Sequence, residues 1–112
     1  MPHLVLTYSN LNIAAVETFQ DQAATALAEM GFTPNSIKCY AVKTSHAHIA
    51  GSLGAPFAHM TFRMLDKPER TEGVRSEWLS ELCEIATANF PTECTLTAEA
   101  VFLPPVYRSV TR

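Results

Sequence analysis

The chain opens on alternation. Over residues 2–8, Leu4, Leu6 and Tyr8 interleave with Val5 and Thr7, so both faces are apolar and the run predicts a buried strand. Ser9, Asn10 and Asn12 then supply turn and N-cap chemistry. The period changes to helical over 13–30: Val16, Phe19, Ala23, Ala26 or Leu27, and Met30 recur every three to four positions, with Glu17, Gln20, Asp21 and Glu29 off that stripe. Gly31 fits the position just past a helix end, and Pro34 blocks continuation. Residues 37–44 predict a second strand, with Lys38, Tyr40 and Val42 on one side and Cys39, Ala41 and Lys43 on the other. Residues 45–55 hold Gly51 and Gly54 and predict a loop or irregular hairpin.

The plan then repeats. Residues 57–65 predict a strand. Asp66 is placed to cap a second helix, with Pro68 in its first turn and Glu69 at the third position, and the helix is expected to run to about Asn89. Val74, Trp78, Leu82, Ile85 and Ala86 or Phe90 form its stripe, and Pro91 ends it. Residues 96–103 predict a fourth strand, terminated by Pro104 and Pro105, with 106–112 as a tail.

This order predicts an α+β fold: one domain over 1–112, built from two β-α-β halves at about 1–50 and 55–105. The halves make a four-stranded mixed sheet with both helices on one face. The strands are too apolar for the other face to stand in water, which predicts an oligomer, most simply a ring. Composition agrees, since 47% of residues are hydrophobic and only 17% charged, too thin a charge for a fully solvated surface. Net charge is -3 with Lys and Arg scattered, so neither a basic stripe nor aromatic-basic interleaving points to nucleic acid. Cys39, Cys83 and Cys94 are odd in number and widely spaced, fitting reduced thiols of a cytoplasmic protein and not a disulfide framework or metal pair. No charged-then-apolar leader precedes the first strand, and no apolar run approaches the ~20 residues a bilayer span needs.

Candidate chemistry begins at Pro2. Pro is small enough for Met1 to be removed ahead of it, leaving a secondary amine at the start of a strand. An α-amino group titrates at about 7.7–8, and burial lowers that value, so a buried terminal proline is a neutral base near pH 7. His3 follows it in sequence but points to the opposite face. His46, His48 and His59 raise the alternative of a three-nitrogen zinc site, though nothing in their spacing fixes a distance; His59 is the better fit to a hydrogen-bonded strand histidine. Arg63, near a strand end, is expected in a surface ion pair.

The opening M-P-H-L-V-L-T-Y-S, the I-K-C-Y strand and A-H-M-T-F-R-M after a Gly-rich loop resemble the tautomerase superfamily, most closely the 5-carboxymethyl-2-hydroxymuconate isomerase family, over nearly the whole chain. The resemblance implies a homotrimer with sites near subunit boundaries. It implies an N-terminal proline base that moves a proton along a dienol-to-enone system, and cationic side chains on the substrate's carboxylates and 2-oxo group. The family's arginine after the isoleucine of the second strand corresponds to Lys38. A second arginine, from a Gly-Arg-Ser turn, corresponds roughly to Lys67 within Asp66-Lys67-Pro68. Lysine keeps the charge but not the planar two-bond fork, which puts the particular substrate in question more than the base. Tyr40, two residues beyond Lys38 on the same side, is a candidate donor to an enolate oxygen, and Phe57 a candidate apolar wall beside Pro2.

The expectation is a cofactor-free intramolecular oxidoreductase (an isomerase) of aromatic-compound catabolism, acting on a small anionic 2-hydroxy or 2-oxo acid. Pro2 is the catalytic residue, Lys38, Tyr40, Lys67 and Phe57 bind substrate, and no metal, nucleic acid or membrane is involved. The alternatives are a tautomerase-fold protein with altered or lost activity, serving as a trimeric small-acid binding module, and a histidine-bound metal hydratase or isomerase.

Overall fold

The computed structural model describes residues 2–45, 48–49 and 52–110. Its elements in chain order are β1 (His3–Ser9), α1 (Ile13–Glu29), a 3-10 turn (Pro34–Ser36), β2 (Lys38–Lys43), β3 (His48–Ile49), β4 (Ser52–Leu53), β5 (Phe57–Met64), α2 (Glu72–Asn89) and β6 (Thr95–Phe102). The main sheet has the order β2-β1-β5-β6, and β3 and β4 form a separate hairpin. β1 runs parallel to β2, β5 runs parallel to β6, and the antiparallel pair β1–β5 joins the two units. The sheet is therefore mixed, with β1 and β5 inside and β2 and β6 at the edges.

Strand alternation decides which residues enter the core. Leu4, Leu6 and Tyr8 of β1 and Ala58, Met60, Phe62 and Met64 of β5 are buried on the helix-covered face. Val16, Phe19, Ala23 and Leu27 of α1, with Leu82 and Ala86 of α2, complete that layer. Phe19 meets Phe90 with ring centroids 5.5 Å apart, fastening the first helix to the end of the second. The opposite face carries Val5, Thr7, His59 and Thr61 half-buried, and leaves Tyr40 and Val42 exposed on the edge strand β2.

The helix ends follow local chemistry. Asn12 caps α1 by accepting from the Ala14 N–H at 2.8 Å. At the other end Gly31 takes a φ of 103°, a conformation that favours glycine. The Phe32 N–H then bonds the Leu27 carbonyl and the Gly31 N–H that of Ala28, closing a Schellman motif that drives Phe32 into the core.

The second helix corrects the expectation of an Asp66 cap. α2 begins at Glu72, and its cap is Thr71, whose hydroxyl accepts from the Val74 N–H at 3.2 Å. Residues 67–70 form a turn closed by the Arg70 N–H on the Lys67 carbonyl at 2.9 Å. Pro68 sits inside this turn and not in a helical first turn.

Candidate active site

Topology gathers one end of the sheet. β1 begins at that end and α1 runs back to it, so Pro2, Gly31, Phe32 and the start of β2 lie together. β5 and β6 both finish there, which adds Arg63, the turn 67–70 and the tail after Phe102. Pro2 is fully buried, and its carbonyl accepts from the Lys38 N–H at 3.0 Å. Proline has no ladder donor of its own, so this one bond continues the β1–β2 ladder to the first residue of the strand. The β1–β5 register, extended by one step, sets Pro2 opposite Met64.

Cations concentrate at this end. His3 pairs in register with both Lys38 and Arg63, so the three share a row on the open face. On the helix side, Arg70 donates from Nη1 to the Leu65 carbonyl at 2.8 Å and lies over the Phe32 ring at 4.8 Å. Arg75 donates from Nε to the Arg70 carbonyl at 3.2 Å and lies over Phe102 at 4.4 Å. A cavity of about 260 Å³ opens here, lined by Met30, Gly31, Phe32, Lys67, Glu69, Arg70 and Trp78. Phe32 and Trp78 meet edge to face at 5.2 Å and form its aromatic wall. The Pro2 ring lies at the same sheet end but is not part of this lining.

The structure divides the sequence candidates. Pro2 and Lys67 lie at this end on or near the helix side, and Lys38 and Tyr40 start the same end of β2 on the open face. Phe57 does not join them. It pairs with Ser9, six residues beyond His3, because β5 runs antiparallel to β1. Ser9 is seven steps from Pro2, roughly 23 Å at about 3.3 Å per residue, so within one protomer Phe57 is not its apolar wall. Arg63 also differs from expectation: among the described residues it has no ion-pair partner and stands beside His3 instead. Arg70 escaped the sequence reading because its role depends on Phe32 and Leu65; the only local sign was its place directly before a capping threonine.

The remaining histidines separate as well. His59 hydrogen bonds through Nδ1 to the Thr97 hydroxyl at 2.7 Å and through Nε2 to Glu99 at 3.4 Å, as a strand histidine should. His46 lies outside the described residues, and of His48 only its place in β3 is described. Among the described residues no cluster of His, Cys, Asp or Glu is arranged to hold a metal.

His3 turns away from the helices, as alternation requires. Its Nε2 is 2.9 Å from the Tyr107 hydroxyl. Burial, followed by the charges of Lys38 and Arg63, pushes its imidazole below the ordinary range, favouring the neutral ring. The thiols are held in their protonated form. Burial pushes Cys39 up to about 11, and raises Cys83 and Cys94. At pH 8 Cys39 should then be about one part in a thousand thiolate, and react with iodoacetamide roughly a hundredfold more slowly than an unperturbed thiol. Residue-resolved alkylation followed by mass spectrometry checks this, and fast labelling of Cys39 would contradict the burial.

The sequence matches no protein-family model and no curated protein. Solved structures do match. A 5-carboxymethyl-2-hydroxymuconate isomerase from Deinococcus radiodurans is similar with TM-score 0.84 and 20% identity, over 98% of this chain and 90% of that one. A 5-carboxymethyl-2-hydroxymuconate delta-isomerase gives TM-score 0.76 at 20% identity, over 100% and 89%. A macrophage migration inhibitory factor-like protein from Entamoeba histolytica gives 0.69 at 12% identity, over 91% and 88%. A fused 4-OT symmetric trimer gives 0.74 at 15% identity, over 97% and 93%. Nearly end-to-end superposition on these proteins shows that this chain shares their fold.

Proposed function

We propose that this protein is a cofactor-independent isomerase that shifts a proton within an unsaturated 2-hydroxy or 2-oxo acid, with the amine of Pro2, freed by loss of Met1, as the base. The observation that carries the reading is the burial of Pro2 at the sheet end where Lys38, Arg63, Lys67 and Arg70 gather. Burial favours the neutral amine, and so do neighbouring positive charges. The same charges attract a carboxylate.

Neutral Pro2 takes a proton from the dienol hydroxyl or from the carbon α to the carbonyl. The electron pair moves into the conjugated system, and the negative charge develops on an oxygen held by cations. The prolinium then returns the proton to the distal carbon, so the reaction balances with no external acid. Lys67, at the rim of the helix-side cavity, draws a carboxylate to the sheet end that Pro2 shares. Lys38 and Tyr40 sit on the open face, so they reach substrate only where protomers meet. A homotrimer that covers this face gives Tyr40 and Val42 a reason to be apolar and exposed in the single chain.

Ultraviolet assays on 2-hydroxymuconates and phenylenolpyruvate test this reading. The Met1-free protein should turn over at least one of them, and Lys67→Ala should raise KM about tenfold or more through loss of a charge-assisted contact. Absence of turnover across the whole panel would remove the assignment.

A further inference from the structure

The tail beyond β6 does more than end the chain. Leu103 is buried, and its N–H donates to the Met64 carbonyl at 2.7 Å, opposite the extended register position of Pro2. Pro104 and Pro105 follow, and the chain crosses to the open face. There Val106 is 93% exposed, and Arg108, Ser109 and Val110 are exposed too, yet Tyr107 is half-buried. Tyr107 is thus the tail residue that returns to the fold. It meets His3 through a hydrogen bond of 2.9 Å and an edge-to-face ring contact of 6.0 Å. Tyr40 meets the same imidazole edge-on at 6.2 Å.

A chain terminus frays unless something holds it. The one backbone hydrogen bond described for Pro2 runs through its carbonyl, which accepts from the Lys38 N–H. The next anchor is His3, and its side chain is clamped between two tyrosine rings. We propose that Tyr107, acting through His3, is a positioning residue that keeps the Pro2 amine in its buried place. The inference rests on the reading of Pro2 as the base. The neutral imidazole suits this role. With Nε2 unprotonated it accepts a hydrogen bond from the Tyr107 hydroxyl, and the neutral ring adds no further charge beside Lys38 and Arg63.

Bromoacetate alkylation of the terminal amine, followed by intact-mass and peptide analysis across pH, tests the role. The amine displaces bromide, forming an N–C bond as the C–Br bond breaks and the nitrogen loses its proton. Wild-type protein lacking Met1 should be labelled at Pro2, with a midpoint below that of a free secondary amine. Tyr107→Phe keeps the ring but loses the hydroxyl. A freed Pro2 becomes more solvated, so the midpoint should rise by ~0.5 unit or more, cutting the rate at neutral pH about threefold. His3→Gln places an amide near the Nε2 position and should restore part of the difference relative to His3→Ala. The charged and titratable groups facing His3 are Lys38, Arg63, Tyr40 and Tyr107, all retained in the His3 variants. Wild-type protein that is not labelled at Pro2 overturns the base assignment itself. Wild-type labelling with an unchanged midpoint in both Tyr107→Phe and His3→Ala overturns the positioning role alone. Thermal midpoints taken alongside separate either result from loss of the fold.

Discussion

Replacing Pro2 with alanine is expected to lower kcat by at least about a hundredfold, the scale of a general base. Alanine still permits removal of Met1, so the variant keeps a terminal amine. It loses the ring that fills the sheet end and ties the nitrogen to the side chain, and its nitrogen becomes a primary amine free to turn toward water. KM should change little if Lys67 and its neighbours supply the binding energy. The thermal midpoint should fall by only a few degrees, because one small ring at the sheet margin is lost. A preparation that retains Met1 makes a second, sharper comparison. Its Pro2 nitrogen is an amide with no basic lone pair, so turnover should vanish while the fold stays intact. Pro2→Ala or Met1-retaining protein with full turnover would rule out the amine mechanism.

Which parts of this arrangement could be read from the sequence follows from the range of the interactions involved. Leu4, Leu6 and Tyr8, the Val16–Phe19–Ala23–Leu27 stripe and Gly31 carry local signals, and each sits where its period places it. The α+β order and the helix-covered face follow from the same periods. The start of α2 was misread at Asp66 because Asp66 with Glu69 is a local capping pattern. What favours Thr71 is nonlocal: Arg70 reaches the Leu65 carbonyl and the Phe32 ring, holding 67–70 as a turn. The site was legible in part for the same reason. Pro2 stands in a recognisable sequence context, whereas Lys38 and Lys67 replace arginines of the family that the chain resembles, and Lys67 lacks its usual turn. Phe57 lies beside Ser9, away from Pro2 of the same protomer, and only the antiparallel β1–β5 register shows this. Tyr107 had no local signal, since its partner lies at the other end of the chain.

Phe62→Ala is the substitution expected to cost most in stability, and it tests whether core and cavity are one structure. Phe62 is fully buried in the inner strand β5 between Leu4 and Ala100 in register. Its ring meets Phe32 at 5.7 Å and Trp78 at 6.4 Å, and those two rings are the aromatic wall of the cavity. Truncation removes the apolar transfer energy and leaves a void that the β ladder cannot collapse to fill. The expected loss is about 3–5 kcal/mol, a fall in Tm of more than ~10 °C at fixed protein concentration. Phe62→Leu keeps most of the volume and should cost far less. Trp78 is the chain's one tryptophan, so its emission reports on the wall directly. In Phe62→Ala under native conditions the emission should shift to the red as Phe32 and Trp78 lose their shared support, and KM for a flat acid should rise with it. A fully folded Phe62→Ala variant with unshifted emission and unchanged KM would mean that the cavity wall stands independently of the core. The Schellman turn at Gly31 would then have to orient Phe32 alone, which a motif of two backbone hydrogen bonds is too weak to do against solvent.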